Sequence, residues 1–98
     1  MSRVLLDLNQ PQFQDDLLSM ERDEALAVLA TLKKIRQLDW TQLYADRGLR
    51  WEAILSRTSP SGRRIYSLRV TKRFRAVAFR EGDHLCLVSL HSDHDSAY

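Results

Sequence analysis

Acidic residues are almost missing from the middle of this chain. Between Arg47 and Arg80 there is one, Glu52, against ten bases: Arg47, Arg50, Arg57, Arg63, Arg64, Arg69, Lys72, Arg73, Arg75 and Arg80. That stretch carries a net +9, whereas residues 1–46 carry −3 and residues 81–98, with no Lys or Arg, carry −4. The overall charge of +2 therefore hides a strongly polarised chain. Other scarcities exclude whole classes of function. Three glycines leave no glycine-rich loop of the kind that cradles nucleotide phosphates. Cys86 is the only cysteine, so no internal disulfide can form, and its place in an apolar run suits a small buried hydrophobe. No apolar run approaches the roughly 18 residues of a membrane span. The first ten residues hold one Arg and too short an apolar stretch for a signal peptide, so a cytoplasmic protein without a membrane partner is expected. There is no internal repeat, Ser-His-Asp set or zinc-finger spacing.

A chain of 98 residues is expected to form one domain, residues 1–98, around one modest core. Val4-Leu5-Leu6 reads as an edge strand. Asn9 and Pro11 announce a short helix carrying Phe13, Leu17 and Met20 on one face. A longer helix is predicted from Glu21 to Leu38, with Ala25, Val28, Leu29, Leu32 and Ile35 as its apolar stripe. Its acids near the start and bases near the end complement the helix dipole. Asp39 caps a third helix, Trp40 to Ala45, ended by Gly48. Leu49 to Leu55 fits helix or extended chain equally. After the loop Thr58–Gly62 come three antiparallel strands: Arg63–Val70, Phe74–Arg80 and His84–Leu90. Thr71-Lys72-Arg73 and Glu81-Gly82-Asp83 are their turns. Helices followed by a strand meander imply an α+β domain of two layers.

Nine of the ten central bases are arginine, which grips phosphate with a planar two-pronged donor set. The ligand this implies is a nucleic acid or an acidic protein. Alternation sets Arg69 on the face opposite Tyr66, Leu68 and Val70, and Arg75, early in the next strand, can converge with it on one anion. The competing expectation is a solvated strand face whose arginines pair with acids, and the local shortage of acids weakens it. Glu52 can be a structural ion-pair partner or a base that takes a proton from a ribose 2′-hydroxyl. His91, directly after the last strand, can act as a general acid or a charged phosphate contact. His91, Asp93, His94 and Asp95 are residue types found at metal sites, but in so short a terminal segment they predict no metal. Trp40, Tyr44 and Trp51 can stack on bases if exposed; packing is the commoner use of aromatics beside short helices.

The run from Gly62 to Phe79, GRRIYSLRVTKRFRAVAF, resembles the strand–turn–strand signature of the RelE/ParE superfamily, toxins of bacterial type II toxin–antitoxin systems. The resemblance implies two or three N-terminal helices packed on a small, twisted antiparallel sheet. In the ribosome-dependent branch it also implies an endoribonuclease that enters the A site and cuts messenger RNA without metal or cofactor. The 2′-hydroxyl attacks the adjacent phosphate, a base deprotonates it, arginines stabilise the phosphorane, and an acid protonates the leaving oxygen. Carried over by position, Glu52, Arg69, Arg75 and His91 are the catalytic candidates, with Tyr98 a looser match. Arg50, Arg63, Arg64, Lys72 and Arg73 complete the RNA-binding set. Implied partners are an acidic, partly disordered antitoxin, the ribosome and its message, and operator DNA reached through the antitoxin. The alternative is the ParE branch, which inhibits DNA gyrase and lacks the nuclease residues, or a relative that only binds a partner. The acidic tail beyond His91 motivates that alternative, because negative charge opposes RNA binding.

Overall fold

The computed structural model describes residues 2–58 and 62–92. Within them three helices come first and then most of a sheet. Helix α1, Pro11–Leu18, begins with proline, whose missing N–H costs nothing in a first turn. Phe13 is its buried anchor. Helix α2, Arg22–Arg36, buries Val28, Leu32 and Ile35, spaced four and three apart along one ridge. The predicted stripe was wider than this. Leu29 is 42% exposed and Ala25 only partly buried, because a single ridge of α2 faces the sheet layer. Helix α3, Trp40–Ala45, starts with a reciprocal cap: the Asp39 carboxylate accepts from Gln42 N–H, and the Gln42 side chain accepts from Asp39 N–H.

Five strands form one sheet in the order β1-β5-β4-β3-β2. They are β1 Leu5–Asp7, β2 Glu52–Thr58, β3 Arg64–Arg69, β4 Phe74–Glu81 and β5 His84–Ser92. Strands β2 to β5 are antiparallel neighbours, and β1 joins the edge parallel to β5. The ambiguous stretch Leu49–Leu55 is thus a turn at Leu49 and extended from Glu52 onward, and the meander has four strands rather than three. The first strand holds its edge through backbone bonds at both sides: Val4 N–H donates to Leu38 at 2.8 Å, and Leu5 N–H to Asp83 at 2.9 Å. Gly82, at φ 60°, makes the β4–β5 turn in a conformation that other residues rarely adopt.

The helices cover one face of the sheet. Leu68 and Val70, Ala76 and Ala78, and Leu85, Leu87 and Leu90 point from β3 and its end, β4 and β5 into the cluster that also holds Phe13, Val28, Leu32, Ile35, Trp40 and Leu43. The three aromatic candidates belong to this side. Trp40 is buried, Trp51 stacks on Tyr66 at 4.4 Å, and the Arg80 guanidinium lies 4.3 Å over the Trp40 ring. Trp40 and Trp51 pack the helix layer against the sheet, whereas Tyr44 is 48% exposed; all three lie away from the face that carries Arg69. No described helix is long and apolar enough to cross a membrane.

Candidate nucleic-acid interface

The other face of the sheet, here the far face, holds a smaller apolar cluster: Ile54, Ile65 and Val77, with Phe79 and Val88 against them. Beside it runs a polar row fixed by strand register. Arg69 lies directly opposite Arg75, and Arg75 directly opposite His91. Opposed residues share a face and sit about 5 Å apart, so three basic side chains rise side by side from three adjacent strands. One row inward, Glu52 opposes Ser67, Ser67 opposes Val77, and Val77 opposes Ser89. Glu52 thus shares the face of Arg69, at the β2 side of the row. Arg50 precedes it by two residues, and its guanidinium approaches the Glu52 carboxylate at 3.7 Å, both side chains about half exposed.

A bulge in β5 delivers His91 to this face. Ala78 pairs with Leu87 while Val77 pairs with Ser89, so Val88 is one extra residue in the ladder. Leu85 and Leu87 face the helices. Without the extra residue, strict alternation would send Ser89 and His91 to the same side as those leucines. With it, Leu90 turns to the core while Ser89 and His91 reach the far face. His91 was expected just after the last strand; it lies inside β5, which runs on to Ser92. Its ring is therefore held by a backbone ladder rather than by a terminus.

The surroundings of the row are polar and partly dry. Arg69, Arg75 and His91 are half-buried. Ser67 and Ser89 are buried, and the Ser89 hydroxyl lies 2.8 Å from His91 Nε2. Arg69 Nε is buried and has no hydrogen-bond partner among the described residues. An orphaned buried donor costs about 1–3 kcal/mol. An anion bound between Arg69 and Arg75 would supply the missing acceptor. Arg50 itself has φ 50°, a left-handed backbone that is costly for a side chain with a Cβ. The tight connection from α3 imposes it: Arg50 N–H donates to Asp46, Leu49 N–H to the Asp46 carboxylate, and Arg69 N–H to Leu49.

Arg63, Arg64, Lys72 and Arg73 lie elsewhere. Arg63 is at the opposite end of β4, roughly 20 Å along the strand from Arg75. There it pairs with Glu81 at 3.0 Å and lies over the Phe79 ring. Glu81 stands one residue outside the acid-poor stretch, and the hairpin brings it back. Arg64 is exposed, one residue out of phase with the side chains of the far face. Lys72 and Arg73 are exposed in the β3–β4 turn, where they share an open cavity of about 300 Å³ with Asp23 and Glu24 of α2. Arg50, Arg69 and Arg75 are thus brought together with Glu52 and His91. Tyr98, Asp93, His94 and Asp95 lie outside the described residues.

Cys86 is buried on β5, 3.8 Å from the Asp7 carboxylate. Burial, reinforced by that negative charge, pushes its thiol up to about 11, so it stays protonated at neutral pH and packs as an apolar group. The buried serines escaped the sequence reading. Their signal was a small polar residue between apolar neighbours, Tyr66 and Leu68 around Ser67 and Val88 and Leu90 around Ser89.

No family model matches the chain, and no curated protein matches it. Among solved structures, the crystal structure of a copper-bound mutant toxin from Helicobacter pylori is similar along the full length of both chains, with a TM-score of 0.52 and 20% sequence identity. At that identity the likeness is one of fold: the chain shares an α+β architecture with a bacterial toxin.

Proposed function

We propose that this chain is the toxin of a type II toxin–antitoxin pair and cuts messenger RNA on the ribosome without a metal ion. The observation that carries the reading is the row Arg69–Arg75–His91, flanked on the β2 side by Glu52 and Arg50. The full-length likeness of fold to a bacterial toxin supports it.

Strand spacing suits an in-line displacement. Glu52 and His91 stand on β2 and β5, about 14 Å apart across three strand intervals. Side chains reaching inward from both leave room for one phosphodiester between them, over Arg69 and Arg75. Glu52 takes the proton from the 2′-hydroxyl as that oxygen bonds to phosphorus. The two guanidinium groups neutralise the phosphorane that develops, an electrostatic contribution of the kind that dominates such chemistry. His91 gives a proton to the departing 5′-oxygen, leaving a cyclic phosphate on one fragment and a free hydroxyl on the other. Free Glu52 pairs with Arg50, and substrate would exchange that partner for the ribose. An acidic antitoxin strand would neutralise the same row and block it.

The test is induction of the chain in cells with mapping of messenger 5′ ends. Cleavage at translated codons is expected, and Glu52→Ala and Arg75→Ala should each relieve growth arrest. Intact messages with a DNA-damage response and supercoiling defects would instead identify a gyrase-directed toxin. Intact messages with normal growth would leave a protein that only binds a partner.

A further inference from the structure

We infer that Ser89 is a positioning residue for His91: its hydroxyl accepts the Nε2 proton of the imidazole and so fixes the ring's orientation and tautomer for proton transfer to the ligand. The inference rests on the reading of His91 as the proton donor of a phosphodiester site.

Three features of the molecule carry it. The first is distance and burial. Ser89 is 6% exposed, and its oxygen lies 2.8 Å from Nε2. A buried hydroxyl needs a partner, and a bond of that length to an imidazole is a well-formed one. The second is the backbone that creates the pair. The extra residue Val88 shifts Ser89 and His91 together onto the far face, two positions apart on the same side of β5. Side chains so placed lean along one strand and can meet, and the paired ladder to β4 fixes both Cα positions. The third is the set of neighbours. Arg75 stands directly across from His91 on β4, and Arg69 directly beyond it on β3. Both are donors only, so neither can hold an imidazole N–H. On the helix side the Asp16 carboxylate of α1 accepts the Leu90 N–H at 2.9 Å. Ser89 supplies an oxygen acceptor from the same strand and the same face as the ring.

The direction of the hydrogen bond follows from the chemistry. A charged ring has protons on both nitrogens. When it donates one to a leaving oxygen, the other must stay behind. If Nε2 is held by Ser89 throughout, its proton never leaves, and the ring has one orientation and one working nitrogen. The hydroxyl therefore acts as acceptor before and after transfer. Its contribution is to remove ring rotation and the competing tautomer, which is an orientation effect on turnover rather than on substrate affinity.

The experiment compares the wild-type chain with Ser89→Ala and Ser89→Thr, labelled with nitrogen-15 at histidine. Expected in the free wild-type protein is a slowly exchanging Nε2–H resonance for His91. Ser89→Thr should retain it, and Ser89→Ala should lose it while the backbone amide spectrum stays folded. In a translation extract Ser89→Ala should lower kcat about tenfold with KM little changed, and Ser89→Thr should recover most of the loss. A His91 resonance identical in wild type and Ser89→Ala would overturn the inference. So would a lost resonance with full kcat. The nuclease reading fails separately: if the wild-type chain cuts no message, the proton-transfer role falls, whatever the resonance shows about the Ser89–His91 bond.

Discussion

The two faces of the sheet are built from opposite materials. Against the helices, the buried cluster among the described residues contains fifteen, all apolar. On the far face the buried apolar cluster among the described residues is Ile54, Ile65 and Val77, and on the same face lie the buried side chains of Ser67, Ser89 and Cys86 and the half-buried Arg69, Arg75 and His91. Both faces are read from the same strands by alternation, so neighbouring residues serve different ends. Leu68 contributes to folding, and Arg69, next to it, carries charge to the other face, where its buried Nε has no hydrogen-bond partner among the described residues. The difference teaches that this chain concentrates stability on one side of a single layer. The other side is free to hold features that cost stability, such as a guanidinium nitrogen without an acceptor and an arginine in a left-handed conformation.

The largest effect should come from testing that division within one strand. Leu68→Ala removes a fully buried side chain from the large cluster and should cost about 4 kcal/mol, near the upper end for such changes. Ile65→Ala, three residues earlier and facing the other way, empties a site in the small cluster, whose sparser surroundings can close in. It should cost about 2 kcal/mol. Urea unfolding measures both. Equal losses would erase the distinction between a stabilising face and a functional one.

The next effect opposes stability to activity at one position. Arg69→Met keeps the aliphatic stem and deletes the orphaned donor. Stability should hold or rise by about 1 kcal/mol, because a buried unsatisfied group disappears. Message cleavage should fall about 100-fold in kcat, the usual consequence of losing one preorganised donor to a developing anion. A variant that is less stable and equally active would show that Arg69 serves the fold. Binding of message by the wild-type chain should also weaken as salt rises, since guanidinium–phosphate attraction is screened.

Much of this contrast was legible beforehand. Period-two alternation around Leu68 and Val70 sufficed to turn Arg69 outward, and Asp39 ahead of Trp40 sufficed to start α3. The α+β layering followed from the order of patterns. Three things lay beyond local pattern. The parallel pairing of β1 with β5 joins segments nearly eighty positions apart, Asp7 and Cys86, and no spacing rule encodes it. The bulge at Val88 is invisible in Leu-Val-Ser-Leu, because an apolar doublet reads the same whether or not a ladder slips. The scatter of the basic stretch was hidden too. Charge counted along a segment ignores the turn that carries Arg63 to Glu81 and the ring that holds Arg80. Among the described side chains, what looked like one field separates into a compact row at Arg50, Arg69 and Arg75, a turn at Lys72 and Arg73, and a distant hairpin end at Arg63 and Arg80.

The smallest effect concerns the link between the two faces. Lys34, in the last turns of α2, pairs with Asp46 at 2.9 Å, and Asp46 also accepts from Leu49 N–H in the connection that leads to Arg50 and Glu52. The Lys34 ammonium, helped by the backbone N–H groups and opposed by partial burial, holds the Asp46 carboxyl below its usual 3.8. A carboxyl depressed on folding stabilises the native state above its unfolded value, and that contribution disappears as pH falls through the folded one. Lys34 is half exposed, so screening keeps the pair below about 1 kcal/mol. Lys34→Met should therefore lower the urea midpoint slightly near neutral pH, with the gap closing as pH drops below 3.8. A gap that persists in acid would assign the effect to the packing of the lysine stem. If the pair also steers the connection, Lys34→Met should weaken message binding a few-fold at neutral pH, although it touches no far-face residue. Unchanged binding would mean that the backbone bonds from Asp46 and Leu49 suffice to deliver Arg50 and Glu52, and that the two faces are coupled only through the main chain.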